Sequence, residues 1–333
     1  MPNYPQGRLT LQSGNPVQTC DQLNTDTIYY APLIGLNGTA PIYDGTSLQD
    51  RLFISSDTDQ VGLSVIIDSN SAHTGHCISW NLYDLFIFWN GSASVLGYGP
   101  AWSQPVAPTA DRGTGSGTTE LEFFKRLWVN KNAIVLRYGV NSGDFTTISA
   151  RQATFLGTFL TQGNVRCDMP LKPTPAAGGT QNFVCLSNAY NACDMTVLNR
   201  DSSTSWTYSS ASVQMANHGA NGGNNERNRI WWVDCLGIYP AEAEFSVTVT
   251  PIGSAANAYT CGVGFEQVTN LGLGIINQAA FVGSTSQGST ITGYDTSNPV
   301  LGLRWVHALE QSTTAGMNIY ANGFTALKLM TKS

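Results

Sequence analysis

Charged residues are scarce in this sequence. Asp, Glu, Lys and Arg make up 11% of the chain, against roughly 25% in an average soluble domain. The 16 basic residues are outnumbered by 22 acidic ones, which gives a formal net charge of -6. Because a phosphate backbone or an anionic lipid surface is bound by a concentrated basic patch, this composition argues against nucleic acid and membranes as partners.

Several signatures of known functional classes are missing as well. No apolar run approaches the roughly 18 residues of a membrane span, and the first residues lack the basic and apolar regions of a secretory signal, so we expect synthesis in the cytoplasm without membrane insertion. The seven cysteines are dispersed without a CxxC pair, which predicts neither a zinc ribbon nor a readable disulfide framework. The Gly-x-Ser-x-Gly motif of serine hydrolases is absent. We predict no cofactor.

Strand signals dominate what is present. The chain is 42% hydrophobic and 10% aromatic, which is enough apolar surface to form a folded core. Short segments rich in β-branched and aromatic residues occur at Leu63–Ile67, Tyr83–Trp89, Trp128–Val129, Ile134–Tyr138 and Phe245–Thr250. Turn-forming clusters occur at Asn90–Ser92, Asn141–Asp144 and Asn221–Asn224. This spacing is typical of an all-β sandwich or jelly roll.

The sequence predicts an all-β chain of two β-sandwich, jelly-roll-like domains with an extended N-terminal arm. Residues 1–50 are predicted to form the arm and edge strands, since Pro5, Pro16, Pro32 and Pro41 interrupt their strand-like pieces. Residues 51–172 are predicted to be the first sandwich and residues 173–333 the second, joined by a stretch rich in Pro and Gly at 170–179. The only helical expectations are two short turns, at Leu121–Lys125 and Asn188–Asn191.

A series of short motifs, in a fixed order, resembles the pattern of a known protein family. They are Gly7–Leu11, Thr27–Tyr30, Ile42–Gly45, Tyr83–Phe86, Gly99–Trp102, Thr118–Glu122, Leu156–Phe159, Asn188–Asn191 and Ser205–Tyr208. Together they cover the chain from about residue 7 to about residue 265, and this order resembles a family of virion structural proteins of tailed bacteriophages. Relatives often have a basic pair after the Asn188–Asn191 motif, whereas this chain has Ala192–Asp194.

The resemblance implies a non-enzymatic subunit located in the virion, a fibre or spike displayed on tail or head. It implies a homotrimer. We further expect other virion proteins as partners and a host-surface glycan as the ligand of exposed loops. Two alternatives stay open at this point. One is a capsid decoration, or cement, protein without host contact. The other is a polysaccharide-degrading tailspike, which would need two carboxylates held roughly 5 to 10 Å apart.

Two clusters suggest chemistry but fit it incompletely. His73, His76 and Cys77 offer imidazole and thiolate groups that suit zinc, but no fourth ligand lies nearby, so we predict a loop without metal. Gly113–Thr119 has three alternate glycines that could expose N–H groups to an anion. The Lys-Ser/Thr ending of a phosphate loop is missing, so we predict a loop at an oligomer contact.

Aromatic residues near turns are the best candidates for a glycan or partner contact, because their rings stack on sugar faces and partner chains. We select Trp89, Tyr98, Trp102 and Trp232. Trp231 and Trp232 must point to opposite faces of an extended strand, so one of the two rings is expected outside.

Overall fold

The structure is a computed structural model that describes residues 4–33, 37–56, 59–208, 211–217, 228–251, 257–272, 274, 276–281, 289–312, 317–320 and 325–333. The turn expected at Asn221–Asn224 lies outside the described residues. Within the described ranges the chain is built of β-strands, with no α-helix, and none of these residues forms a helix able to cross a membrane. The all-β prediction is confirmed.

The strands follow one another along the whole chain. The first fourteen are β1 (Gly7–Thr10), β2 (Gln22–Thr25), β3 (Thr27–Pro32), β4 (Thr39–Tyr43), β5 (Leu48–Leu52), β6 (Leu63–Ile66), β7 (Asn81–Trp89), β8 (Ser94–Ala101), β9 (Leu121–Phe124), β10 (Leu127–Asn130), β11 (Ile134–Arg137), β12 (Phe145–Ile148), β13 (Ala153–Thr161) and β14 (Cys167–Met169). The others are β15 (Asn182–Val184), β16 (Leu186–Asn188), β17 (Asp194–Asp201), β18 (Trp206–Tyr208), β19 (Gln214–Met215), β20 (Arg229–Asp234), β21 (Ala241–Pro251), β22 (Asn257–Phe265), β23 (Asn277–Phe281), β24 (Ser289–Ser297), β25 (Gly302–Ser312), β26 (Met317–Tyr320) and β27 (Thr325–Lys332).

Neither segment predicted to be a short helical turn is helical. Leu121–Phe124 is β9, which pairs antiparallel with β10 through a turn at Lys125 and Arg126, both with positive φ. In the second segment, Asn188 ends β16, which pairs with β13, and residues 189–191 form bends after it. For Leu121–Phe124, pairing with the neighbouring strand overrides the weak local preference for a helical turn.

The first half of the chain is organised around an eight-stranded sheet. Its order is β12-β11-β8-β7-β13-β10-β9, with β16 also paired to β13. Both faces of β7 are buried: Leu85 and Ile87 belong to the main apolar core, whereas Phe86 and Phe88 belong to a second cluster on the opposite face. The centre of the sheet is therefore covered on both faces.

The second half is a β-sandwich of two six-stranded sheets. One has the order β15-β20-β25-β22-β23 with β19 paired to β25, and the other β17-β27-β21-β26-β18 with β24 paired to β21. The sheets approach closely where a Cβ atom added to Gly293 would lie 2.6 Å from the Cα atom of Gly262. The β-sandwich prediction is confirmed for this half.

The N-terminal segment does not extend from the chain as an arm. β1 pairs with β3, which pairs with β6, and Leu9, Ile28 and Tyr30 are buried in the main core. The amide oxygen of Asn188 accepts the N–H of Leu9 at 2.7 Å. Pro5 precedes β1, Pro16 lies between β1 and β2, Pro32 ends β3, and Pro41 lies within β4, which pairs on one side only, with β5.

The two halves share one core. The main apolar cluster includes residues from Leu9 to Leu329, and the short segment from Asn182 to Asn188 gives β15 to the second half and β16 to the first. The division between residues 172 and 173 stays a prediction, because the strands on either side of it interleave.

Candidate functional site

Trp89 is the one predicted contact residue that the structure leaves partly exposed. It ends β7, and the following turn reverses the chain so that Trp89 pairs with Ser94 on β8. The side-chain oxygen of Asn90 accepts the N–H groups of Ser92 and Ala93 at 3.0 and 2.9 Å, and Gly91 has a φ of 100°. The Asn-Gly sequence therefore fixes a tight turn directly after the tryptophan.

A cleft of about 530 Å³, which we call the Arg51 cleft, lies on one side of Trp89. The guanidinium carbon of Arg51 lies 4.1 Å from the centroid of the Trp89 ring and covers one of its faces. Asp50 and Asp59 also line the cleft. The Asp59 carboxylate accepts the N–H groups of Ser55, Val61 and Gly62, and these bonds hold its pKa below the ordinary value.

A second cleft of about 480 Å³, which we call the Thr147 cleft, also includes Trp89 in its lining. It runs along β12, the edge strand of the eight-stranded sheet, and its other lining residues include Asn90, Tyr138, Phe145, Thr147 and Gln152. The exposed fractions of Tyr138 and Phe145 are 37% and 38%. Both clefts are within the size range of small-molecule sites.

The chemistry of the two clefts differs. Arg51, Asp50 and Asp59 give the first cleft both charge signs, whereas the described residues that line the second contribute aromatic rings, hydroxyls and amides without a charged side chain. An edge strand adds backbone N–H and C=O groups that have no partner strand on one side. Aromatic rings combined with many neutral hydrogen-bonding groups suit a ligand with apolar C–H faces and many hydroxyls.

The other three predicted contact residues lie in the core. The exposed fractions of Tyr98, Trp102 and Trp232 are 0%, 2% and 1%. The Tyr98 hydroxyl accepts the N–H of Asp68 at 3.1 Å, the Trp102 ring packs on Arg112, and the Trp232 ring packs on Phe265. None of the three offers a ring to a glycan or partner, and this corrects the prediction made for them.

Trp231 and Trp232 do point to opposite faces of β20, as predicted, but the ring that reaches the surface is Trp231. It is half-buried, with its ring centroid 6.2 Å from that of Trp305 on the neighbouring strand. The Arg229 guanidinium carbon lies 4.8 Å from the Trp231 ring and 4.7 Å from the Trp305 ring. Trp232 is buried and packs on Phe265 and Arg304 of the same sheet.

The histidine loop does not form a metal site. In His73, Nδ1 lies 2.8 Å from the Asp68 carboxylate and Nε2 lies 3.1 Å from the Asn70 amide. In His76, Nδ1 donates to the carbonyl oxygen of His73 at 3.0 Å. Burial raises the pKa of the Cys77 thiol. Among the described residues no three His, Cys, Asp or Glu side chains converge as metal ligands, and His218 lies outside that part of the chain.

The glycine-rich loop is occupied by the chain's own carboxylate. Gly113, Gly115 and Gly117 all have φ values near +84°, and the N–H of Gly115 donates to the Glu120 carboxylate at 2.9 Å. Glu120 also pairs with Lys131, and Glu122 pairs with Arg151. An internal carboxylate therefore takes the position at which a phosphate loop would hold its anion.

Sequence reasoning missed Arg51, Tyr138, Phe145 and Gln152 as site residues. Arg51 reaches Trp89 because the β4–β5 hairpin packs against β7 and β13, which brings together residues 38 positions apart. Gln152 is held against the same hairpin, since a Cβ atom added to Gly45 would lie 2.8 Å from its Nε2. No local sequence pattern marks these contacts.

Comparisons with known proteins add little to this site. No protein-family model matches the chain, and no curated protein does. A structure of the infectious bursal disease virus Gt strain aligns with 11% identity over 96% of this chain and 79% of that one, at a TM-score of 0.21. Two Bacillus thuringiensis proteins also align. The Cry4Aa toxin has 7% identity over 95% of this chain and 50% of that one, at a TM-score of 0.21. The Cry1Da tryptic core variant has 8% identity over 76% of this chain and 51% of that one, at a TM-score of 0.18. The chain spans about half the length of each toxin structure, and TM-scores this low carry no argument about function.

Proposed function

We propose that this chain is a structural subunit of a bacteriophage particle. It forms a homotrimeric fibre or spike on tail or head. It binds host-surface carbohydrate, without degrading it, at Trp89 and the two clefts that this residue lines, which together we call the Trp89 site. The ordered motifs from about residue 7 to about residue 265 support the virion assignment. The charge-poor surface is compatible with packing against other copies and other virion proteins, since few ions would lose their hydration there.

The observation that carries the carbohydrate contact is the partly exposed tryptophan that lines two clefts, both of which contain polar side chains. Sugars present apolar C–H faces and several hydroxyls, so a site for them combines an aromatic ring with neutral donors and acceptors. Trp89 supplies the ring, and the hydroxyl and amide groups of the Thr147 cleft supply the hydrogen bonds. The Arg51 guanidinium adds a fork of donors at the ring.

Cryo-electron microscopy of the intact particle tests the virion role. We expect trimers of this protein at the tail or on the head, with the Trp89 end facing the medium. Two observations together would favour the decoration alternative: copies of the protein on the capsid surface, and normal adsorption of particles that lack the protein. Complete absence of the chain from the particle would contradict the proposal.

The substitution Trp89→Ala tests the carbohydrate contact. Binding of the purified protein to immobilised host-surface polysaccharide is expected to weaken at least about tenfold, because a central aromatic contact dominates a small interface. Trp80→Ala is the matched control, since Trp80 is 46% exposed and lines neither cleft. Equal affinity of wild type and Trp89→Ala would refute the site, and shortening of the polysaccharide during the assay would favour the degrading tailspike instead.

A further inference from the structure

The Arg51 cleft and the Thr147 cleft share Trp89 as a lining residue, and this shared residue bears on the size of the ligand. The Arg51 cleft and the Thr147 cleft each have room for a ligand of their own, at about 530 and 480 Å³. Both lie at the end of the eight-stranded sheet where β7 turns into β8. Trp89 lines both clefts, so they adjoin at this residue.

The β4–β5 hairpin connects the two clefts structurally. Arg51, on β5, stacks on Trp89 in the first cleft. Gly45, in the turn of the same hairpin, lies against Gln152 of the second. Ser94, directly after the β7–β8 turn, donates from its hydroxyl to the carbonyl oxygen of Leu52 at 2.7 Å. These contacts fix the relative position of the clefts, so both can be preformed for a single ligand.

We infer that the ligand is a polysaccharide segment of several sugar units, which runs from the Arg51 cleft past Trp89 into the Thr147 cleft and places uncharged units in the latter. This inference rests on the proposed carbohydrate contact and specifies its ligand. A single sugar would occupy one cleft and leave the other unused. A strongly anionic unit is disfavoured in the Thr147 cleft, because none of the described residues that line it carries a charge to compensate.

The composition of the Arg51 cleft is compatible with binding of the other end of the polysaccharide segment. Its two carboxylates and one guanidinium sum to a formal charge of −1, from Asp50, Asp59 and Arg51, so a polyanion gains no net attraction there. Because neither cleft offers a concentration of one charge sign, binding should depend little on salt.

The experiment uses a ladder of fragments. An array of bacterial surface polysaccharides identifies the one that the full-length protein binds best, and partial hydrolysis with size fractionation then gives fragments from one sugar unit upward. The dissociation constant is expected to fall at least about tenfold between the single unit and fragments of three or more units. It should change less than about twofold when sodium chloride is raised from low to physiological concentration.

Variants separate the two clefts. Thr147→Trp, at an exposed position of β12, fills the second cleft. This variant and Gln152→Ala should each weaken binding of the long fragments about tenfold and remove the gain with length, while the shortest bound fragment keeps its affinity. Thr290→Trp, at an exposed position on β24, is the control expected to bind like wild type.

The outcomes are distinguishable from those that test the proposed function. If no polysaccharide binds, the carbohydrate contact itself fails, and this inference with it. If fragments bind and Trp89→Ala abolishes binding, but affinity does not depend on length or on Thr147→Trp, the contact stands and the inference of an extended ligand is wrong. Melting curves of Thr147→Trp and Gln152→Ala test whether lost affinity reflects unfolding, and we expect both variants to melt like wild type.

Discussion

Replacing Arg112 with methionine is expected to lower the free energy of unfolding by about 3 to 5 kcal/mol, the range for leaving a buried charge without its partner. The Arg112 side chain is 10% exposed and its Nε donates to the Asp84 carboxylate at 2.7 Å, while Asp84 is fully buried. Its Nη2 donates to the carbonyl oxygen of Cys235, in the second half of the chain. Its guanidinium also packs 4.2 Å from the Trp102 ring centroid. One side chain thus connects the eight-stranded sheet to the sandwich.

Urea unfolding of the purified variants measures this effect. Arg112→Met combined with Asp84→Asn should recover part of the loss, because the second change removes the uncompensated carboxylate. Arg151→Met is the matched control: Arg151 pairs with Glu122 at 2.6 Å, but their side chains are 47% and 24% exposed, so a much smaller loss than for Arg112→Met is expected. Equal losses of unfolding free energy for the two arginine variants would contradict the prediction, because the buried Arg112–Asp84 pair would then matter no more than an exposed pair.

The fold class was predictable because its signal is local. In segments such as Phe245–Thr250, alternating β-branched and polar residues indicate a strand whatever the rest of the chain does. Turn clusters such as Asn90–Ser92 and Asn141–Asp144 also appear where expected, the latter closed by the N–H of Asn141 donating to Asp144 at 2.8 Å. These features depend on a few neighbouring residues, so the sequence was sufficient.

The arrangement of the strands was less predictable because long-range contacts decide it. The N-terminal segment has strand-like pieces broken by prolines, which is also the pattern of an exposed arm. Its position in the core depends on partners far along the chain: Leu9 bonds to Asn188, and Arg8 bonds to the carbonyl oxygen of Ser333. No pattern within residues 1–50 encodes these partners.

The candidate site illustrates the same limit. Trp89 could be identified because it precedes a turn, where the strand leaves the core. Tyr98 and Trp102 also lie near Gly residues, but Tyr98 is buried within β8 and Trp102, directly after β8, is buried against Arg112. For Trp231 and Trp232, alternation predicted that one ring points outward. The choice between them depends on which face the second sheet covers, and that is a property of the whole sandwich.

Replacing Glu310 with glutamine is expected to flatten the dependence of stability on pH between about pH 4.5 and 7. Glu310 is fully buried on β25 and accepts hydrogen bonds from Trp206 Nε1 at 3.0 Å, the Tyr259 hydroxyl at 2.8 Å and the Asn217 N–H at 3.1 Å. Burial raises the pKa of Glu310 to about 7 from an ordinary value of 4.5, although these donors act in the opposite direction. Loss of hydration outweighs the hydrogen bonds.

The sign of the effect follows from where the proton binds more tightly. Below about pH 4.5 the carboxyl is protonated in both folded and unfolded chains, so its contribution to stability is fully present. As the pH rises through 7 that contribution is lost, because the unfolded chain releases the proton first. The gap between the two pKa values corresponds to about 3 kcal/mol. Wild type should therefore lose up to about that much stability, relative to Glu310→Gln, between pH 4.5 and pH 8.

Urea unfolding of wild type and variant across this pH range gives the difference directly, and titration of other groups cancels to the extent that both proteins share it. Glu244→Gln, on β21, is the control expected to keep the wild-type slope. Since Glu310 bonds to residues of β18, β22 and the segment after β19, deprotonation should loosen the contact between the two sheets of the sandwich first. Hydrogen exchange at these strands should then rise with pH beyond its intrinsic pH dependence in wild type, and parallel slopes for wild type and Glu310→Gln would contradict the assignment.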